Sequence, residues 1–318
     1  MADDRRTLVT GALGCLGAWT LKALLDLGEE PVGIDLQGSD DARLRLVLSE
    51  DERARVTLAS GDVTDAGAVG AALDEHAITN VVHLAAMQVP FVRADPERGA
   101  RVNVHGTVVV FEAIKAKLNR IRGLSYASST AVYNVSDHSP APESGGTAPS
   151  TLYGVFKLAN EGTARVYWND DDVASIGIRP YVVYGPGRDQ GLTSGPSLAM
   201  EAATRGEGFA IAYGGTAQYD FAPDVGRAFA LAARAATEGA HVANFPGVPS
   251  TMQEVVDAIE SAAPAVAGKV FWEEGQLPFP EALEGRLLER LIGPMTPAPL
   301  ADGVRATIEH FRAHGARA

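Results

Sequence analysis

Short apolar runs rich in β-branched residues alternate with longer stretches of helical period along the first half of the chain. The runs are Thr7–Val9, Pro31–Ile34, Arg55–Leu58, Asn80–His83, Gly123–Tyr126 and Ala174–Ile178, with helical stretches such as Gly17–Leu27 and Pro96–Lys117 between them. Strands this short, apolar on both faces and separated by helices, predict a parallel sheet covered on both sides. Right-handed crossovers make it an α/β fold with a Rossmann-type doubly wound sheet. Beyond about residue 185 the regularity fades, and Gly and Pro recur in Gly185-Pro186-Gly187, Gly195-Pro196, Gly214-Gly215 and Pro246-Gly247. Helical period returns near 251–262, 281–291 and 301–313. The expected organisation is a first domain at 1–184 and a smaller C-terminal substrate-binding lobe at 185–318. Some segments of that lobe are expected to return to the sheet.

Composition narrows the class. Of 318 residues, 46% are hydrophobic and 21% charged, as in ordinary globular proteins. No apolar run approaches the roughly 18 residues that span a bilayer. The charged start Met1-Ala2-Asp3-Asp4-Arg5-Arg6 leads straight into the first strand without an apolar signal core. Cys15, the single cysteine, leaves no intrachain disulfide and no cysteine-based zinc site. Both features predict a cytoplasmic protein. A net charge of -13 argues against nucleic acid and anionic membrane as partners, since both require basic patches. The histidines are scattered along the chain, and no metal is expected.

The first strand runs into Gly11-Ala12-Leu13-Gly14-Cys15-Leu16-Gly17, a G-x-x-G-x-x-G loop that opens a helix. Glycines let the backbone turn sharply and approach a pyrophosphate without Cβ atoms between them. The helix N-terminus then presents unpaired N–H groups to the phosphates. A glycine loop alone is a weak signal, but this one sits in a strand-loop-helix-strand unit whose second strand ends in Asp35. A carboxylate there accepts from both ribose hydroxyls of NAD and repels the 2′-phosphate of NADP. No Arg follows Asp35 directly, so NAD is the expected cofactor. Asp62 is either an adenine contact or a helix N-cap.

Tyr153 and Lys157 stand at i and i+4, on one face of a predicted helix. A free phenol titrates near about pH 10 and is a poor base at neutrality. A neighbouring ammonium favours the phenolate, which makes removal of an alcohol proton feasible while hydride leaves the same carbon. His83 ends a buried strand and is read as a core histidine.

With these motifs the chain resembles the extended short-chain dehydrogenases/reductases, the NAD-dependent epimerase/dehydratase family. The resemblance covers nearly the whole chain. It is carried by Thr10-Gly11-x-x-Gly14-x-x-Gly17, Gly61-Asp62-Val63, His83-Leu84-Ala85-Ala86, Asn103-Val104-x-Gly106-Thr107, Ser128 to Tyr133, Tyr153-x-x-x-Lys157, and Arg179-Pro180 leading to Tyr184-Gly185-Pro186. It implies that Ser129 completes a catalytic triad with Tyr153 and Lys157. It implies a cofactor cleft formed by Gly11, Leu13, Gly14, Cys15, Leu16 and Gly17, by Asp35 and Leu36, and by Asp62 and Val63. Further along the chain it adds Leu84, Ala85, Ala86, Asn103, Ala127, Tyr153, Lys157, Pro180 and Val182. Met87, Gln88, Ser129, Thr130, Tyr153 and Arg188 are expected at the substrate, unless Arg188 is only a surface partner of Asp189. A homodimer is implied through helices at about 96–118 and 151–168. The second of these carries Leu152, Val155, Phe156, Leu158, Ala159, Val166 and Trp168 around its circumference.

The chain also departs from the family. Thr130 stands where dehydratases place an acid, which disfavours sugar dehydration. Val182 replaces the Asn that nucleotide-sugar members commonly carry. The stretch Thr216–Val225 lacks their Arg, and its Asp220 is expected to repel a diphosphate. The expected partner is therefore a small polar substrate, carbohydrate-derived and without a nucleoside diphosphate. The expected activity is NAD-dependent oxidation of a secondary hydroxyl on a sugar, polyol or hydroxy acid. The alternative is a sugar or nucleotide-sugar epimerase that retains NAD. A non-catalytic NAD-binding module is the third option, and Ser129, Tyr153 and Lys157 speak against it.

Overall fold

A computed structural model describes residues 5–134, 137–235 and 237–315. The strands in chain order are β1 (Thr7–Thr10), β2 (Val32–Asp35), β3 (Thr57–Ser60), β4 (Asn80–His83), β5 (Gly123–Ala127) and β6 (Ser175–Arg179). They continue with β7 (Val182–Tyr184), β8 (Phe209–Ile211), β9 (Thr216–Phe221), β10 (Ala240–Asn244), β11 (Pro249–Thr251) and β12 (Val270–Trp272). Seven of them form one sheet in the order β10-β6-β5-β4-β1-β2-β3, and every pairing is parallel. The strand order reverses between β1 and β4, and a doubly wound sheet opens its binding crevice at such a switch point.

Helices cover both faces because β1, β4 and β6 are buried along their whole length. On one face the helix Cys15–Asp26 packs with the helix Ala222–Arg234, through Leu21, Leu24, Leu25, Val225 and Phe229. On the other, Val69 and Leu73 of Ala66–Glu75 meet Val110, Phe111 and Ile114 of Gly106–Lys115. The C-terminal half is thus shared. Its helix Ala222–Arg234, strand β10 and helix Leu287–Ile292 complete the sheet body. The ribbons β11-β9-β7 and β12-β8 and the helices Gly195–Thr204, Met252–Ala262 and Leu300–His314 surround a separate core.

Three expected elements differ. The strand expected at 55–58 begins two residues later, because Arg55 still caps the helix Glu50–Ala54. The helix expected at 281–291 is confined to Leu287–Ile292. Upstream, the chain runs extended beside Ala141, whose N–H donates to the Ala282 carbonyl while its own carbonyl accepts from Glu284. The long helix at 96–117 is real but interrupted by a π-helical turn over Arg101–His105, between Pro96–Ala100 and Gly106–Lys115. A π turn marks a local adjustment within a helix, and this one lies beside the cleft.

Candidate active site

A cleft of about 620 Å3 crosses the C-terminal ends of β1, β2, β4 and β5 and reaches the loop after β7. Its cofactor end is made largely of backbone. Gly11 has φ +69°, and a Cβ on Gly17 would stand 2.1 Å from the Gly11 carbonyl oxygen, so the loop and helix pack at a distance only glycine allows. The helix Cys15–Asp26 has no side-chain cap and no acid in its first turn. Its first N–H groups therefore face the cleft unanswered by side chains, as a bound pyrophosphate requires. Asp35 accepts from Leu13 N (2.9 Å) and Leu36 N (2.8 Å), which ties the end of β2 to the glycine loop. The two arginines that next follow Asp35 in the chain are already paired: Arg43 with Asp189 at 2.9 Å, and Arg45 with Asp40 and Asp41. Neither is left over for a 2′-phosphate. These residues fit NAD.

The chemical end is made of side chains. Tyr153, in the first turn of the helix Leu152–Asp171, shares a hydrogen bond with Ser129, from the turn after β5. Burial pushes the phenol above its ordinary range, and the Ser129 bond and the Arg188 guanidinium pull it back. Lys157 lies one turn along with its Nζ 5.6 Å from the centre of the Tyr153 ring, and it donates to the Ala127 carbonyl at 2.7 Å. Burial brings Lys157 down to about 8, against the upward pull of Glu161. Arg188 donates to Gln88 Oε1 at 3.1 Å and Thr193 Oγ1 at 3.3 Å. Asp189 bonds Arg43, and it is only 13% exposed rather than a surface carboxylate.

The cleft brings together Gly11, Leu13, Gly14, Cys15, Leu16, Gly17, Asp35, Leu36, Asp62, Val63, Leu84, Ala85, Ala86, Ala127, Pro180, Tyr153 and Lys157. Met87, Gln88, Ser129, Thr130 and Arg188 line it too. Asp62 accepts from Thr64, while Asp65 caps the following helix, so Asp62 is not the N-cap. Thr130 turns its hydroxyl away, to the Pro180 carbonyl.

Asn103 and Val182 do not reach the cleft. Asn103 is buried in the π turn, where its amide brackets both the N–H and the carbonyl of Met87 at 2.7 and 2.9 Å. It shapes the cleft wall rather than forming it. Val182 points into the core of the C-terminal lobe, and its neighbours Tyr181 and Val183 line the cleft instead. Strand alternation separates the two sets, and parity cannot be fixed from sequence when every position is apolar. Asp220 is also corrected. It is 1% exposed, accepts from Tyr181 N at 2.6 Å, and burial pushes its carboxyl up to about 8. It does not line the cleft, so one of the three grounds against a diphosphate substrate falls away.

Several lining residues carried no sequence signal. Phe279 arrives from the irregular segment before the last two helices, with its ring 5.9 Å from that of Tyr181. Arg43 carries no local cleft signal, because only the fold brings it to Asp189, 146 positions away. His83 is a core histidine between Thr10 and Thr107, and burial lowers it to about 3. His310 and His314 stack at 4.2 Å, yet no group of three metal-ligating side chains exists among the described residues. No helix among those residues is long and apolar enough to cross a membrane.

Residues 7–245 match the NAD-dependent epimerase/dehydratase family. A UDP-glucose 4-epimerase from Mycolicibacterium smegmatis is 32% identical over 96% of this chain and 98% of its own length. UDP-glucuronate 4-epimerase 1 of Arabidopsis thaliana is 33% identical over 56% of this chain and 42% of its own. Among solved structures, a Thermus thermophilus UDP-glucose 4-epimerase in complex with NAD superposes with a TM-score of 0.81. It is 27% identical and covers 98% of this chain and 100% of that one. A match across most of the chain shows that this protein belongs to the NAD-dependent epimerase/dehydratase family.

Proposed function

We propose that the protein is an NAD-dependent epimerase acting on a secondary ring hydroxyl of a nucleotide sugar. The single observation that carries this reading is the convergence of Ser129, Tyr153 and Lys157 on one cleft, in a chain alignable end to end with a 4-epimerase. Ser129 holds the substrate oxygen. Tyr153, whose phenolate form the neighbouring Lys157 ammonium favours against the upward push of burial, takes the hydroxyl proton. The bound NAD would supply a reversible hydride acceptor for the same carbon. Because Tyr153 keeps the proton in a closed site, it can hand it back after the keto sugar has turned, inverting the centre with no net redox change. Gly11 to Gly17 and Asp35 hold the cofactor; Arg188 and Gln88 orient the sugar. A homodimer through the helix Leu152–Asp171 belongs to this reading, since Leu152, Val155 and Val166 are exposed on it by 48%, 45% and 51%.

The second reading is net oxidation of a free sugar or hydroxy acid, and the replacement of the family's Asn by Val182 favours it. One experiment separates the two. UDP-glucose, UDP-glucuronate and the corresponding free sugars are incubated with the NAD-loaded protein while NMR follows the ring protons and absorbance follows NADH. Inversion without NADH accumulation is expected for a nucleotide sugar. Stoichiometric NADH from a free sugar, with the nucleotide sugars inert, would give the second reading.

A further inference from the structure

Behind the Tyr153–Lys157 pair lies a buried charge network that the proton transfer above does not use. Glu161 stands one turn beyond Lys157 on the same helix, and its carboxylate takes both Nε and Nη2 of Arg179 on β6 at 2.7 Å each. Glu161 is 8% exposed and Arg179 4%. A third bond comes from the Ser128 hydroxyl. Arg179 continues through Nη1 to the Tyr133 phenol and the Glu143 carbonyl. Ser128 sits between Ala127, whose carbonyl holds Lys157 Nζ, and Ser129, which meets the Tyr153 phenol. One carboxylate therefore anchors, from behind, the three-residue segment that supplies both partners of the catalytic pair.

A buried ion pair is a costly way to join a helix to a strand, since well-packed apolar residues of the same volume do it at least as well. What apolar residues cannot supply is a negative charge one helical turn from a buried ammonium. The other titratable groups around Lys157 add no compensating charge. His83 on β4 is held neutral at physiological pH by burial, and the buried Tyr126 phenol on β5 stays protonated. Tyr153 precedes Lys157 by one turn, and Arg179 on β6 is a cation on the far side of Glu161.

We propose that Glu161 is a positioning residue for proton transfer: through Ser128 it fixes Ala127 and Ser129, and its charge keeps Lys157 an ammonium inside the protein. This rests on the reading of Tyr153 and Lys157 as the proton-transfer pair. Since the chain has only five lysines, Lys157 can be titrated directly by NMR of lysine-labelled, NAD-loaded protein, without any substrate. In Glu161→Gln the Lys157 midpoint is expected to fall by about one pH unit, the low end of what a neighbouring carboxylate does. Glu161→Asp, which keeps the charge, should hold the midpoint near wild type. An unmoved midpoint in Glu161→Gln would overturn the electrostatic role. Where that variant does not fold, Ser128→Ala serves. It should lower kcat by about ten-fold, the scale of one lost positioning hydrogen bond, with NAD affinity and the Lys157 midpoint unchanged. Wild-type kcat in Ser128→Ala would overturn the positioning role. Failure of every sugar to react would defeat the epimerase reading but leave the NMR result intact, so the two failures are distinguishable.

Discussion

The two ends of the cleft are built from different materials. At the cofactor end the working groups are backbone: the glycine loop, the uncapped start of the helix Cys15–Asp26, and one carboxylate, Asp35, that clamps the loop to β2. At the chemical end they are side chains from four distant segments, including Gln88, Ser129, Tyr153 and Arg188. A backbone site depends on what is absent, so it tolerates few insertions of bulk and many changes of side-chain chemistry. A side-chain site depends on what is present, so single substitutions change its chemistry without disturbing the fold.

The sharpest way to test that division is to damage one end and read the other. Tyr153→Phe should reduce turnover by at least ~10²-fold, the usual scale for a positioned acid/base, while NAD binding measured by calorimetry stays nearly wild type. Comparable losses in both would mean that the ends are not separable. Gly17→Ala should act in the opposite sense. Its Cβ meets the Gly11 carbonyl at 2.1 Å, so the loop must move. NAD affinity should fall by roughly 1–3 kcal/mol, as overpacking commonly costs. Wild-type NAD affinity in that variant would show that the loop yields freely.

Asp35→Ala probes the one side chain on which cofactor choice depends. Wild-type protein should prefer NAD over NADP, and the variant should narrow the ratio by about ten-fold, since it removes a carboxylate from the place of the 2′-phosphate. A preference for NADP in the wild type would remove Asp35 from the ribose site.

The smallest effect concerns stability behind the substrate wall. Asp220 has its carboxyl raised by burial to about 8, against an ordinary value near 3.8. The unfolded chain therefore releases this proton first, and the group costs stability progressively as pH rises from about 4 to about 8. Asp220→Asn still accepts from Tyr181 N and cannot ionise. Its melting temperature should exceed that of wild type at pH 8 by several degrees and match it near pH 4. Equal melting temperatures at both values would show that the carboxyl ionises freely in the folded protein.

Much of this was written in the sequence, for physical reasons that differ by region. Each buried strand reads as a short apolar run, and the glycine loop specifies its own geometry because only glycine adopts it. Tyr153 and Lys157 were legible because helical spacing alone puts them on one face. Residues lining the cleft by strand parity were not: β7 is apolar at every position, so nothing local distinguishes Val182, which faces the lobe core, from Val183, which faces the cleft. Asn103 read as a cleft residue because the π turn that directs it to the Met87 backbone has no local signature. The partners Arg43 with Asp189, Glu161 with Arg179, and Tyr181 with Phe279 are separated by 18 to 146 positions. Sequence by itself determined the fold class, the glycine loop and the pairing of Tyr153 with Lys157 on one helix face, since each is written in a local pattern of apolar runs, glycines or helical spacing. Tertiary structure alone decided which charges are already paired, that Asp220 lies outside the cleft, and which side chains wall the substrate end, because those depend on packing between segments that no local pattern records.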